Sequence, residues 1–387
     1  MMIQDYKQEF MLDGACYLNC AYMGPVPQRA ILAGREGISR EAAPYKLTKE
    51  HFFSHLTAIR EQFAHIVGAT RPDSIALFPA VSYGMATIAN NIRKQSGNIV
   101  VVENEFPSNY YIWRELAARG SYQLRVVPQP KDISEKADLW SDAVIDTIDR
   151  ETALVSISSV HWIDGTTLRL DRIAKRARAV GSHFIVDGTQ SLGVAPFPMD
   201  EIRPDAVICA GYKWLLGPYS LSVGYFGAQY EGGAPLEHHW LARIHSDDFP
   251  NLTNYQSEFR PGMVRYDSGE SSNFILAPML LASLQLINEI GVSRIASHVG
   301  ALTDLIREAA HLHGWTVPPS SQSASHYVTI PVMDLARNAD ELLTRLQHNN
   351  VYASVRGPNV RITPHIYNNT ADIHSLLGVL SEYKAAA

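Results

Sequence analysis

Seven short apolar runs, most of them separated by helical segments, constrain the fold of this chain more than any other feature. The segments between them, such as YGMATIANNIR, YYIWRELAARG and LDRIAKRARAVG, have helical periodicity. Short apolar strands that alternate with helices are typical of a parallel sheet buried on both faces. The sequence therefore predicts an α/β fold with a mostly parallel seven-stranded sheet and helices on both faces. The runs are rich in valine and isoleucine and span residues 75–78, 99–103, 123–127, 153–158, 183–187, 205–210 and 221–226.

The pattern changes after about residue 230. The following polar and aromatic stretch carries almost no strand or helix signal, which predicts a long ordered excursion over a site or an interface. Helices follow, and the tail then alternates short strands with helices. We expect a large domain over 17–275, a smaller C-terminal α+β domain over 276–387, and an N-terminal segment, 1–16, that packs on the small domain.

Composition excludes several classes of function. The 387 residues carry a formal net charge of -6 from interspersed acids and bases, and no basic run indicates binding to nucleic acid or an anionic membrane. No run is apolar for the eighteen or so residues that span a bilayer, and the N-terminus lacks a secretory signal, so we expect a cytoplasmic protein. Cys16, Cys20 and Cys209 are too few for a disulfide framework, and neither they nor the paired histidines show a metal-ligand pattern.

Ligands of a parallel sheet bind beyond the carboxyl ends of its strands, so the residues that close each run are the candidates for function. This rule selects Ser82, Glu105, Asp187 and Lys213.

Ser82 follows a strand and lies close to a helix start, where free backbone amides and the helix dipole favour an anion such as phosphate. Two other interpretations stay open. Ser82 is also suited to be a helix cap. The segment AVSYG further resembles the nucleophile elbow of a serine hydrolase, although Ala80 then replaces a glycine that the tight turn needs and Lys213 is left unexplained.

Asp187 and Lys213 lie one strand–helix–strand step apart, so both side chains could flank one small planar ligand. A carboxylate at the end of a buried strand needs a positive partner, which is either structural or a protonated ring nitrogen. Burial lowers the pKa of a lysine amine, which is the state that forms a Schiff base with an aldehyde. A lysine, an aspartate and a phosphate-binding helix start together indicate a pyridoxal phosphate site.

The motifs SSVHWIDGT, VDGTQSLG and GYKWLLGP resemble the cofactor core of class V aminotransferases, the fold-type I group that includes cysteine desulfurases, kynureninases and isopenicillin N epimerase-like proteins. The likeness begins at YLNCAYMGPVP, residues 17–27, and ends at VRITPHIYNNTADI, residues 360–373. It implies a homodimer with its active site at the interface. It also implies a reaction on an amino acid that proceeds through an external aldimine and loss of the α-carbon proton.

The resemblance assigns a role to individual positions. Lys213 forms the Schiff base and moves the α proton, Asp187 keeps the pyridine nitrogen protonated, and Gln190 binds the phenolic oxygen. Phe106 covers the face of the ring where desulfurases use histidine. The resemblance implies cofactor binding by Ser82, Tyr83, Phe106, His161, Asp187, Gln190, Tyr212, Lys213 and, across the dimer interface, one of Ser271, Ser272 and Asn273; it implies substrate binding by Asn19, Tyr22 and Arg361.

Departures from the family pattern narrow the expected activity. Desulfurases carry a nucleophilic cysteine shortly before the closing arginine, but the corresponding stretch here, SVRGPNVRI, contains none, so we do not expect sulfur transfer through a persulfide. Trp162 replaces an asparagine of the desulfurases, which indicates a more aromatic pocket. His161 either faces the cofactor or belongs to the core.

The resemblance favours transamination first, since it is the most frequent reaction in the family, a kynureninase-like or C–S β-lyase reaction second, and epimerisation third. All three share the same initial steps. Two alternatives from other classes are a serine hydrolase that uses Ser82 and a cofactor-binding protein without turnover.

Overall fold

A computed structural model describes residues 6–336 and 338–383. All seven apolar runs form strands of one sheet, as predicted. The strands of the chain are β1 Cys16–Tyr17, β2 Ile75–Phe78, β3 Gly97–Val102, β4 Tyr122–Val127, β5 Thr152–Ser158, β6 His183–Asp187, β7 Ala206–Ala210, β8 Ser222–Phe226, β9 Val328–Pro331, β10 Val351–Tyr352, β11 Ser354–Arg356 and β12 Asn359–Ile362.

The large sheet has the strand order β2-β8-β7-β6-β5-β3-β4. Strand β8 runs antiparallel to both β2 and β7, and every other neighbouring pair in this sheet is parallel. The prediction of a mostly parallel seven-stranded sheet is confirmed. The order of the strands along the chain reverses between β3 and β5, and the crevice beyond the carboxyl ends of strands at such a switch point is the usual ligand position in these sheets.

Helices cover both faces of the large sheet. Along β3, Val100 and Val102 pack on one face while Ile99 and Val101 pack on the other, which is the period-two alternation of a strand buried on both sides. The helices are α1 Gln28–Glu41, α2 Ser54–Val67, α3 Val81–Ala89, α4 Pro107–Ala118, α5 Lys136–Thr147, α6 Leu170–Ala179, α7 Met199–Ile202, α8 Leu276–Ile290, α9 Val292–His313, α10 Val332–Leu335, α11 Ala339–His348 and α12 Thr370–Leu380.

A smaller sheet, in the order β11-β12-β9, is antiparallel and has its own apolar core with α9, α11 and α12. The N-terminal residues contact this part of the chain: β1 pairs with β10, and Lys7 Nζ lies 2.7 Å from Asp372 Oδ1. Helix α8 shares its core with the large sheet, through residues such as Leu280 and Leu284. The predicted domain limits stay predictions.

Within residues 6–336 and 338–383, no single helix has both the length and the apolar composition of a membrane span. Helices α8 and α9 have that length and composition only when they are taken together, and they are bent by 78° relative to each other.

The segment predicted as an ordered excursion, 231–273, is anchored on the edge strand β2. The Asp267 carboxylate is buried, accepts a hydrogen bond from Leu77 N at 2.8 Å and forms an ion pair with Arg60. A buried charge needs such partners, and removing one of them from a buried pair is strongly destabilising. The ion pair therefore holds this segment against α2, which contains Arg60.

Candidate active site

Lys213 lies in the turn after β7, and its backbone is held by the N-terminal part of the chain. Gly24 N donates a hydrogen bond to Tyr212 O at 2.9 Å, and a Cβ at position 24 would lie 2.2 Å from Lys213 O. Only glycine permits this approach. Leu216 N donates to Lys213 O at 3.0 Å from a left-handed conformation with φ +56°. The position of the lysine is thus set by tertiary contacts on both sides.

The Lys213 side chain is buried, with 5% of its surface exposed, and it lies against aromatic rings. Its Nζ is 5.0 Å from the centroid of the Phe106 ring and 5.8 Å from that of Tyr212. Burial, and to a smaller extent the charge of Arg361, lower the pKa of Lys213 to about 8, while the charge of Asp187 opposes this shift. A lysine amine with this pKa is available near neutral pH as a nucleophile and as a base.

Asp187 closes β6 beside Lys213 and is buried. Its Oδ1 accepts a hydrogen bond from Thr189 N at 2.9 Å. Burial raises the pKa of the Asp187 carboxyl group, while hydrogen bonds from Thr189 and the charge of Lys213 act in the opposite direction. A bound cation would favour the ionised carboxylate still more, so this position is suited to a protonated ring nitrogen.

One cavity of about 310 Å³ joins the carboxyl ends of the central strands to the starts of two helices. Six of the predicted site residues meet here. The lining residues are Pro79, Ala80, Val81, Ser82, Phe106, Ser108, Ser158, Trp162, Asp187, Thr189, Gln190, Ala210, Tyr212, Lys213, Tyr219, Ser220 and Ser222.

The phosphate-binding candidate is the start of α3. Ser82 is the second residue of this nine-residue helix and lines the cavity, and the first amides of a helix have no partner within the helix. These amides and the helix dipole favour an anion. Tyr83 stacks on Phe78 with the ring centroids 6.0 Å apart and is not among the lining residues. Among the described residues that line the cavity there is no histidine that could activate Ser82 as a hydrolase nucleophile.

Phe106 and Trp162 form an aromatic wall of the cavity. Their rings meet edge to face, with centroids 5.5 Å apart. Asn104, at φ +56°, directs its carbonyl oxygen to Trp162 Nε1 at 2.8 Å and to His161 Nε2 at 3.2 Å. His161 Nδ1 lies 2.9 Å from Asp164 Oδ1, so both of its ring nitrogens are engaged. His161 is therefore a buried histidine behind the wall and not part of the cavity lining.

Glu105, the fourth strand-end candidate, supports this wall. Its carboxylate accepts hydrogen bonds from Phe106 N at 2.7 Å and from Ser158 N at 2.9 Å. The side chain is buried but does not line the cavity. It fixes the chain at the point where Phe106 enters α4.

Gln190 lines the cavity with an amide that already has protein partners. Its Nε2 donates to Ala21 O at 3.1 Å, and its Oε1 accepts from Trp214 Nε1 at 2.8 Å. One amide N–H of Gln190 is left for a ligand oxygen.

None of the predicted substrate-binding residues lines the cavity, although Arg361 contacts the lining residue Trp162. Arg361 is 1% exposed; its Nη1 donates to Trp162 O at 2.7 Å, and its Nε has no partner among the described residues. Asn19 Oδ1 is likewise buried without a partner in the described part of the chain. Tyr22 is 54% exposed. Buried polar groups without partners are rare and indicate a position for a ligand.

Ser271, Ser272 and Asn273 do not line the cavity of their own chain. Both serine hydroxyl groups are buried without a partner among the described residues. Asn273 is exposed, and its Oδ1 accepts from Leu276 N at 2.7 Å at the start of α8. Their predicted contact across a dimer interface stays a prediction.

Residues 32–376 match the family described as Aminotransferase class-V. This chain belongs to the class-V aminotransferase family. Pyridoxal phosphate is its cofactor.

Class-V relatives resemble the chain along most of its length. It is 25% identical over 317 residues to an uncharacterized aminotransferase, YcbU, of Bacillus subtilis. This alignment covers 81% of this chain and 80% of the Bacillus protein. It is 25% identical over 409 residues to a probable cysteine desulfurase of Methanothermobacter thermautotrophicus, covering 99% and 98%. A solved C-DES variant with glycine covalently linked to its PLP cofactor has the same fold, with a TM-score of 0.88, 19% identity and coverage of 98% and 100%.

The residues of this class-V chain fit the cofactor. Ser82 and the start of α3 would hold its phosphate, Asp187 would face its ring nitrogen, and Lys213 would bind its aldehyde carbon. The buried Asp187 carboxylate supports the fit, because burial has raised its pKa and a ring cation would compensate its charge. Bound pyridoxal phosphate withdraws electrons from the substrate carbon attached to its imine.

All three cysteines of this class-V chain are buried. Burial raises the pKa of the Cys16 thiol to about 12, and it raises the pKa of the Cys20 and Cys209 thiols as well. A thiol is a nucleophile only as the thiolate. The cysteines therefore lack the reactivity that persulfide formation needs.

Several residues that line the cavity are not among the site residues predicted from the sequence. Ser158 ends β5, so the strand-end rule could have found it. Ser222 begins β8, and because β8 is antiparallel its first residue lies at the same edge as the carboxyl ends of its neighbours. Tyr219 and Ser220 lie in the turn after Lys213, and no sequence signal marks them.

The lowered pKa of Lys213 leads to a pH prediction. Once the cofactor is removed, 1-fluoro-2,4-dinitrobenzene should label Lys213 at a rate that rises with pH and has its midpoint near pH 8, because only the neutral amine reacts. Below the midpoint the rate should fall about tenfold per pH unit. Peptide mapping of the labelled protein measures the rate, and the peptides with exposed lysines are the control. A midpoint near 10.5 would contradict the buried environment of the amine.

Proposed function

We propose that this class-V protein is a transaminase that moves the amino group of an amino acid to a 2-oxo acid. The observation that carries the proposal is Lys213, a buried amine with a pKa of about 8 at the carboxyl edge of the sheet, beside Asp187. General base catalysis is most effective when the pKa of the base lies near the working pH.

In this proposal Lys213 removes the proton from the α carbon of the substrate. Its amine lies in a dry, aromatic surrounding, so the proton is not lost to bulk water. Asp187 holds the positive charge of the cofactor's ring nitrogen, and the Thr189 hydrogen bond fixes the carboxylate for this task. Phe106 and Trp162 limit the access of water from one side.

Arg361 would bind the substrate's α-carboxylate. Its guanidinium is buried and its Nε lacks a partner among the described residues, so a carboxylate can complete its hydrogen bonds. Arginine suits this task because its planar fork binds both carboxylate oxygens. We further propose a homodimer in which one of Ser271, Ser272 and Asn273, none of which lines the cavity of its own chain, contacts the cofactor phosphate of the second copy.

Buried cysteines argue against desulfuration by a persulfide, which the name of one relative would otherwise suggest. The name of the Bacillus subtilis relative agrees with amino-group transfer. No contact described above favours a lyase or an epimerase over a transaminase, so the products have to distinguish the three.

The test uses purified protein loaded with pyridoxal phosphate, L-amino acids with an isotopically labelled amino group, and pyruvate or 2-oxoglutarate as acceptor. We expect the label in alanine or glutamate, together with an equal amount of the 2-oxo acid of the donor. Free ammonia without need of an acceptor would indicate a lyase, and D-amino acid alone an epimerase. Labelling of Ser82 by a fluorophosphonate, with hydrolysis of esters, would indicate the hydrolase. Each of these results would overturn the proposal.

A further inference from the structure

The hairpin of β11 and β12 carries two arginines on one face. In its antiparallel register Ser354 lies opposite Arg361, and Arg356 lies opposite Asn359. Residues opposite each other share a face, and so do alternate residues along a strand. Arg356 and Arg361 are therefore diagonal neighbours on the same face, a relation in which residues lie roughly 7–8 Å apart.

Neither arginine forms an ion pair with an acid among the described residues. Arg356 is partly buried, and its Nη1 donates to the backbone oxygen of its own neighbour, Val355, at 2.7 Å. Its guanidinium carbon lies 5.7 Å from the centroid of the Tyr22 ring, which is a position beside a half-exposed aromatic surface. In the described part of the chain, the Trp162 carbonyl oxygen is the one acceptor of an Arg361 hydrogen bond, at 2.7 Å.

The hairpin borders the reactive lysine. A Cβ built on Gly357, at its tip, lies 3.8 Å from Ile163 Cγ2, directly after the cavity residue Trp162. The charges of both Arg361 and Arg356 lower the pKa of Lys213, which places both guanidinium groups within electrostatic range of its amine. The Ser354 hydroxyl, on the same face of the hairpin, is buried without a partner in the described residues.

The charges at this site are therefore unbalanced. Three cations, Lys213, Arg356 and Arg361, lie in or beside a site to which the described residues contribute two buried acids: Asp187 in the cavity lining, and Glu105, which already accepts hydrogen bonds from Phe106 N and Ser158 N. Positive groups that are withdrawn from water need anionic partners. One α-carboxylate on Arg361 satisfies one arginine and leaves Arg356 for a second anion.

We propose that Arg356 binds an anionic group on the substrate's side chain, so that the enzyme selects amino acids with a carboxylate or sulfonate side chain. This inference rests on the proposed function, in which Arg361 binds the α-carboxylate. Arg356 lies toward the exposed Tyr22 and Arg361 lies deeper, so the substrate enters with its α-carboxylate first and its acidic side chain toward solvent.

The test is a titration of the cofactor-loaded protein, followed by the absorbance of the cofactor. L-Aspartate, L-glutamate and L-cysteate are compared with L-asparagine and L-glutamine, which match the two carboxylates in shape but lack their charge. We expect the acids to bind at least about tenfold more tightly than the amides. The reason is that an acid forms a charge-assisted hydrogen bond with Arg356, whereas a neutral amide forms only a weaker one. Arg356→Gln should remove this preference and leave the affinity for the amides within about twofold.

Arg119→Gln is the matched control, because Arg119 is exposed at the end of α4, and it should leave all the titrations unchanged. Equal affinity of the unmodified protein for acids and amides would overturn the inference, even if Arg356→Gln failed to fold. Equal weakening of acids and amides by Arg356→Gln would also overturn it, since Arg356 would then bind the α-carboxylate. If no amino acid changed the absorbance, the proposed function itself would fail.

Discussion

Lys213→Ala abolishes transamination and leaves the fold intact, with the rate reduced by at least roughly 10²–10⁴-fold, the usual contribution of one acid–base group. The reason is that, among the described residues that line the cavity, Lys213 carries the only amine that could bind the cofactor and move the α proton. The rate is measured as transfer of the labelled amino group in single-turnover and steady-state experiments. Circular dichroism and the thermal unfolding midpoint verify that the variant is folded.

Two controls separate the chemistry of Lys213 from its charge. Lys213→Arg keeps a cation but cannot lose its proton at working pH, so it should be as inactive as the alanine variant. A small primary amine added to Lys213→Ala should restore part of the rate, because it can occupy the vacated space and accept the proton. Wild-type turnover in Lys213→Ala would show that another group is the base.

Asp187→Asn lowers kcat by roughly 10²–10³-fold, similar to the loss of one preorganised electrostatic contact in other enzymes. The asparagine can keep the hydrogen bond from Thr189 N through its side-chain oxygen. It loses the negative charge that holds a proton on the ring nitrogen, so the cofactor stabilises the α-carbon charge less well. The measurements are kcat, KM and the absorbance spectrum of the bound cofactor.

Asp205→Asn is the matched control for this variant. Asp205 is a part-buried carboxylate directly before β7; it accepts hydrogen bonds from Phe184 N at 2.7 Å and from the Gln229 amide, and it lies outside the cavity lining. It should change stability without changing kcat. If Asp187→Asn kept the kcat of the unmodified protein, the carboxylate would have a structural role alone.

The alternation of apolar runs was sufficient to predict the sheet, because strands buried on both faces must be short, apolar and regularly spaced. The same geometry made the strand-end rule effective, since parallel strands bring their last residues to one edge. Ser82, Asp187 and Lys213 therefore line one cavity although 131 residues separate the first from the last.

The remaining features depend on tertiary contacts that no local pattern encodes. The antiparallel direction of β8 brings Ser222 to the site, and only the fold shows that direction. His161 could be placed behind the wall only from its contacts with Asn104 and Asp164. The position of Arg356 and Arg361 on one face could be found only from the register of the hairpin, because a shift of one residue would move one of the two side chains to the opposite face.

The most direct test of the central claim is borohydride reduction of the purified protein, followed by peptide mass mapping. We predict a yellow protein that loses its colour on reduction, with one reduced pyridoxal phosphate fixed to Lys213. A colourless protein that takes up no added pyridoxal phosphate, or a cofactor fixed to a different lysine, would contradict the account.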